Sequence, residues 1–229
     1  MRTLGTYAAL AAIALLSACS GGTETATTQA ASLGDMAKLA IAQRKAKRNP
    51  PALPTLTRPL LDGLRTPSLE VISAKRGQTA YLIPTQVRDG DGTVVVWSTR
   101  GNNQVILRDG ILIGTRGLGN DIASAEVTPA LTAVRTRNAS AGQRVMYFRN
   151  DVNGVNRMSL SCEVHNLGAE SLEIVGRSFP TVHLREDCIN GSGRFANHYW
   201  VDRRDGTVWK SRQWGGTASG YFDLRLLKK

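Results

Sequence analysis

From Leu69 to the end of the chain, short runs of β-branched, aromatic and aliphatic residues alternate with turn signals, the patterning of antiparallel strands. It predicts strands at Leu69–Ser73, Thr79–Pro84, Thr93–Thr99, Gln104–Arg108, Ile111–Thr115 and Arg144–Asn150. Further strands are predicted at Arg157–His165, Ser171–Val175, Thr181–Asp187, Phe195–Asp202, Thr207–Trp214 and Tyr221–Leu227. Asp109-Gly110 and Asp205-Gly206 stand between strand pairs and supply the positive φ angles of tight hairpins, and Asn153-Gly154 predicts a looser third. The expected fold is mainly β, with hairpin-rich antiparallel sheets in a barrel-like or sandwich-like arrangement and a short N-terminal helix.

The pattern changes upstream. Arg2, the apolar run through Leu16 and the small residues Ser17-Ala18 have the layout of a secretory signal peptide over residues 1–18. The run is too short for a spanning helix, which needs about 20 apolar residues. Leu16-Ser17-Ala18-Cys19 looks like a bacterial lipobox, so Cys19 is the expected lipidation site, carrying fatty acyl groups such as palmitate. Residues 19–31 read as a flexible Gly/Thr/Ala tether. Residues 32–68 hold a helix and a Pro-rich segment: Leu33, Met36, Ala37, Ala40 and Ile41 share one helical face, and Pro50-Pro51 stops it. The β-rich domain is expected over 69–229. Ser20, rather than Asp, beside the anchor favours the outer membrane in this sorting pattern, with the body on the periplasmic face.

Parity assigns an inward face. Met158, Leu160, Cys162 and Val164 share one side of their strand; Cys188 shares a side with Val182 and Leu184. An exported protein readily oxidises such a pair, so a Cys162–Cys188 disulfide is expected. Glu186 has the same inward parity, which predicts that its strand frays near Cys188.

The formal net charge is +11, which suits an anionic partner such as an acidic polysaccharide or a membrane surface. Export argues against nucleic acid. His165, His183 and His198 form no HxH or HExxH spacing, so no metal and no other cofactor is expected. His165 and His183 fall on the polar face, as solvated side chains. No G-x-S-x-G elbow is present. Asp89-Gly90-Asp91-Gly92-Thr93 opens like a calcium loop but has Arg100 at the twelfth position, so a turn is expected. Glu163, Glu173 and Asp202 are the carboxylates a glycoside-cleaving reading would use, yet nothing selects them, and no catalytic residue is assigned. The loop Thr115-Arg116-Gly117-Leu118-Gly119-Asn120-Asp121 offers Arg116 to an anion, or pairs it with Asp121 or Glu126. Trp200, Trp209, Trp214 and Arg212 lie on one predicted hairpin, as a sugar-stacking surface or as core.

These last segments resemble the YjbF/GfcB family of lipoproteins of group 4 capsule and exopolysaccharide production. The blocks Leu107-Arg108-Asp109-Gly110-Ile111-Leu112, Thr115 to Asp121, Asn197-His198-Tyr199-Trp200-Val201-Asp202 and Ser211-Arg212-Gln213 carry the resemblance, together with the lipobox. It implies a β fold and a non-enzymatic envelope lipoprotein supporting polysaccharide assembly or export. The expected partners are the membrane through its anchor, and an acidic polysaccharide or an export-machinery protein. Arg116, Asp121, Trp200, Trp209, Arg212 and Trp214 form the candidate binding surface. A polysaccharide-processing enzyme and a general outer-membrane assembly lipoprotein are the alternatives.

Overall fold

The computed structural model describes residues 55–150, 152 and 154–229. The expected signal peptide, Cys19, the tether and the Leu33–Ile41 helix lie outside them. A short helix α1 (Arg58–Gly63), begun by Thr57 and Pro59, leads into twelve strands. These are β1 (Ser68–Ser73), β2 (Gln78–Arg88), β3 (Val94–Ser98), β4 (Gln104–Arg108), β5 (Ile111–Arg116) and β6 (Ile122–Glu126). After helix α2 (Thr128–Thr136) come β7 (Ser140–Arg149), β8 (Val155–Ile174), β9 (Arg177–Asn190), β10 (Gly193–Asp202), β11 (Val208–Trp214) and β12 (Tyr221–Lys228).

All twelve join one antiparallel sheet in the order β5-β4-β3-β2-β1-β12-β11-β10-β9-β8-β7-β6. Every strand apart from β1 and β12 pairs only with its neighbours in sequence, so the sheet is two meanders joined by the β1–β12 ladder. It curls into a nearly closed barrel. The edge strands β5 and β6 meet at a seam, where the Ile122 amide donates to Thr115 Oγ1 at 3.0 Å. Leu69, Leu82, Trp97, Leu107, Met146, Leu160, Phe195 and Leu224 fill the interior from opposite walls. α2 closes one end by packing Ala130, Leu131, Ala133 and Val134 onto Leu184, Tyr199 and Val201.

The strand expectations hold in outline, with corrections. Asp109 (φ 47°) and Gly110 (φ 83°) make the expected tight turn, and a Cβ at Gly110 would lie 2.5 Å from Val208. The Asp205-Gly206 connection is wider, spanning 203–207, because a bulge between Trp200 and Val201 sets Val201 opposite Val208. The separate strands at Arg157–His165 and Ser171–Val175 are one 20-residue strand, β8. A register shift between Asn166 and Ala169, with Gly168 at φ 103°, bends it. Beyond the bend, Leu172, Ile174 and Phe179 fold outside the barrel onto α1 Leu61 and Leu227. β6 and α2 have no counterpart among the expected elements.

Cys162 and Cys188 are direct cross-strand partners, joined as a disulfide with an S–S distance of 2.02 Å. The fraying expected at Glu186 does not occur. β9 continues to Asn190, and Glu186 points inward because Arg144 receives it there: Nη1 donates to its carboxylate at 2.9 and 3.1 Å.

Candidate functional site

The residues proposed as one binding surface are dispersed by strand parity. On β10, Asn197, Tyr199 and Val201 are buried inward, while His198 and Trp200 face out. Trp200 is flanked on both sides: His183 of β9 stacks on it at 4.3 Å, and Lys210 of β11 holds Nζ 4.3 Å over its ring. Trp209 lies on Phe179 at 4.0 Å and donates Nε1 to Asp202 at 2.9 Å. Trp214 stacks on Phe195 at 4.5 Å and meets Phe148 edge-on. Arg212 is bound to Asp223 at 2.7 Å and covers the Tyr221 ring. The three tryptophans therefore line no common groove. Trp200 and Trp209 pack against the outer cluster of Leu61, Leu172 and Phe179, and Trp214 against the main core.

Asp121 is also committed. It accepts Thr115 Oγ1 (2.9 Å) and the amides of Gly117 (2.8 Å) and Leu118 (3.1 Å), closing the Gly-rich loop upon itself. Arg116 pairs with neither Asp121 nor Glu126 among the described residues and stays exposed.

His183 is not the solvated side chain expected. Its Nδ1 lies 3.0 Å from Glu170, its Nε2 lies 3.0 Å from His198 Nδ1, and its side chain is 17% exposed. Burial lowers the pKa of His183 against the pull of Glu170, and burial, His183 and Arg185 lower that of His198. An unfolded chain therefore takes up these protons first as pH falls. Stability is full above the unfolded value of about 6.5 and is lost as pH falls below it. The melting temperature should decline from about pH 7 to about pH 5, and His198→Gln should flatten that decline. An equal slope in the variant would remove the pair as its cause.

The carboxylates of a glycosidase reading are not assembled. Glu163 stands opposite Asp187, whose β10 partner is Ala196, and Asp202 lies six residues farther along that strand. At about 3.3 Å per residue this separation far exceeds a catalytic pair's spacing. Asp202 is buried and bound to Trp209. The Asp89–Thr93 segment is a turn, with Asp91 given to Arg135 at 2.9 Å. Among the described residues one cluster has metal-ligand composition, Cys162, Glu186 and Cys188. Its sulfurs are consumed in the disulfide.

Topology brings together what the sequence scatters. In this meander every odd-to-even connection lies at one end of the barrel: 74–77, 99–103, 117–121, 150–154, 191–192 and 215–220. That end carries Lys75, Arg76, Arg100, Arg116, Arg149, Arg157 and Arg194 in or beside its turns, all exposed. None forms an ion pair with a described residue. Asp121 is the described carboxylate in those turns, and it is consumed by its loop; Asp151 is outside the described residues. Between these turns lies a dimple of about 110 Å³, edged by Ser73, Gln78, Thr99, Asn103 and Gln104. Arg76 is held over it by a 2.7 Å bond to the Leu118 carbonyl. The opposite end is mixed in sign: Arg135 pairs with Asp91 and Asp109 and Lys229 with Asp205, while Arg88, Arg137 and Arg203 have no ion-pair partner among the described residues. A field of cations without interleaved carboxylates attracts a polyanion more strongly than an end of mixed sign.

The model of a family described as group 4 capsule polysaccharide lipoprotein GfcB, YjbF matches residues 35–227. The chain belongs to this family. Among solved structures, the hypothetical lipoprotein YmcC of Escherichia coli K12 is similar with a TM-score of 0.67 and 19% identity, over 86% of this chain and 96% of that one. A putative exported protein of Bacteroides fragilis with a YmcC-like fold aligns with a TM-score of 0.35 and 9% identity, over 71% and 93%. No curated protein sequence matches. The likeness to YmcC shows a shared barrel. Membership in the family links the chain to capsule polysaccharide production and to the envelope. Among the described residues no helix is long and apolar enough to cross a membrane.

Proposed function

We infer that the chain is a lipid-anchored envelope protein that supports assembly or export of an extracellular or capsular polysaccharide. It does so by holding acidic glycan at the basic end of its barrel, without chemistry on the glycan. Cys19 attaches it to the periplasmic face of the outer membrane. The observation that carries this reading is the set of seven exposed cations at one end, none paired with a described carboxylate. Repeated carboxylates along a glycan match a ring of guanidinium groups, which form charge-assisted hydrogen bonds in a planar fork. The polar edge of the dimple offers partners for sugar hydroxyls.

The test is titration of the full chain carrying Cys19→Ser with an acidic capsular polysaccharide, a neutral dextran and anionic vesicles. Saturable binding of the acidic glycan is expected, weakening with salt as exposed charges are screened. Arg100→Glu with Arg116→Glu should weaken it at least about tenfold, since each reversal replaces attraction by repulsion. Vesicle binding lost in that variant while glycan binding persists would hand this end to the membrane instead. Deletion of the gene should reduce the amount or length of secreted polysaccharide. A deletion strain with unchanged polysaccharide would refute the role.

A further inference from the structure

At the end of mixed sign a second cavity opens beside α2, with a volume of about 600 Å³, inside the range of about 300–1,000 Å³ typical of small-molecule sites. Its floor is apolar: Leu69, Val95, Trp97, Leu107, Val134 and Leu226. Cations stand on its rim, but two are already neutralised. Arg135 is fixed by Asp91 and Asp109, which raise its pKa. Lys229 is bound to Asp205, whose carboxyl is held down at about 2 by the Thr207 amide and by Lys229 itself.

Arg137 differs. No described carboxylate lies within ion-pair distance of it. Its guanidinium is steadied by a 3.2 Å bond from Nη1 to the Arg135 carbonyl, and it lies against Gly206, where a Cβ would come within 3.2 Å of Nη1. Its backbone is left-handed, φ 56° and ψ 33°, at the C-cap of α2, the position that favours glycine. The αL conformation is strained for a residue that carries a Cβ. Helix termination needs only the backbone, through the amide bond to Ala133 O. The arginine side chain therefore serves something other than the cap.

We propose that this cavity binds the acyl chain of a single-chain anionic phospholipid, with its phosphate on Arg137. The apolar floor removes methylenes from water, and the rim guanidinium meets the phosphate in a charge-assisted bond. The site is separate from the basic end, so its test does not depend on glycan binding.

The probe is lysophosphatidylglycerol carrying a dibrominated stearoyl chain, which quenches tryptophan fluorescence on contact. It is titrated below its micelle concentration into the full chain carrying Cys19→Ser. Saturable quenching is expected, and Trp97→Phe should remove most of it, whereas Trp200→Phe should not. Arg137→Gly should raise the dissociation constant at least about tenfold, the scale of one charge-assisted contact. That variant should melt no lower than the parent, because glycine relieves the positive φ. Arg137→Asn, which also tolerates that conformation, should reproduce the loss. A monoacylglycerol with the same brominated chain should bind more weakly and equally to parent and variants. No saturable quenching, or quenching that survives Trp97→Phe, would overturn the cavity assignment. Equal affinity of parent and Arg137→Gly for the phospholipid would overturn the role of Arg137.

Discussion

Replacing Glu186 with leucine should remove about 3–5 kcal/mol of stability, because it leaves Arg144 charged and without a carboxylate in a dry interior. Both side chains are completely buried. Glu186 accepts from Arg144, from Asn197 Nδ2 at 2.7 Å and from the Tyr199 hydroxyl at 2.7 Å. Burial, and then the Glu186 charge, push the Tyr199 pKa well above the ordinary tyrosine range, so its proton stays in place as a donor. Arg144 burial opposes its charge, but Glu186 and the Tyr199 hydroxyl outweigh that and raise its pKa. With a typical domain stability of about 5–15 kcal/mol, the single substitution consumes a large part of the margin. Urea unfolding should show a lower midpoint with an unchanged slope. Arg144→Met combined with Glu186→Leu should recover much of the loss, because the unpaired charge is gone. A double variant no more stable than Glu186→Leu would show that the lost contacts, rather than the stranded charge, set the cost.

The network has a further task at the open edge of the sheet. β5 has no strand on its outer side, and a buried unpaired amide or carbonyl is costly. Leu112 donates its amide to Gln213 Oε1 at 2.8 Å, and its carbonyl accepts Arg144 Nη2 at 3.3 Å. Gln213 also donates to the Gly110 carbonyl and to Ser211 Oγ. Asn197 Oδ1 accepts the Trp214 amide at 2.8 Å. Side chains from β7 and β11 thus stand in for a missing strand, and Glu186 of β9 holds Arg144 in place. The segments that carry the family resemblance supply Gly110, Leu112, Thr115, Asp121, Asn197, Tyr199, Ser211 and Gln213. Their inward residues are the internal plug of the barrel, and the outward ones are its brace.

This arrangement explains what the sequence made legible. Period-two alternation exposed the strands and the inward thiols, since a strand half-buried on one face leaves that trace in every residue. β6 was hidden because Ala123, Ser124 and Ala125 carry little apolar contrast, and α2 because Thr128, Thr132 and Val134 weaken a helical reading. Glu186 looked like a strand end because its partner Arg144 stands 42 residues away. The tryptophans are close in sequence, yet Trp214 packs against the main core while Trp200 and Trp209 pack against the outer cluster. Of the seven cations at the basic end, Arg116 alone stands in a loop whose pattern points to an anion. Spread from Lys75 to Arg194, the seven converge only when six hairpins turn at the same end.

The second large effect concerns the disulfide. Cys162→Ser with Cys188→Ser should destabilise the chain by about 3.5 kcal/mol in the chain-entropy model, given a sequence separation of 26. For a domain of this size that corresponds to a melting temperature lower by roughly 10 °C. Both cysteines are about 1% exposed, so a reductant should act on the folded protein slowly and on denaturant-opened protein fast. The bridge also fixes register. Glu186 lies two residues before Cys188 on β9, and a one-residue slip of that strand against β8 would turn its carboxylate outward and strand Arg144. Loss of the bridge should therefore weaken the Arg144–Glu186 contact as well as enlarge the unfolded ensemble. A double-mutant cycle between the cysteine pair and Glu186→Leu should show coupling of about 0.5 kcal/mol or more. Strict additivity would mean that the β8–β9 ladder holds its register unaided, and that the bridge acts on the unfolded chain alone.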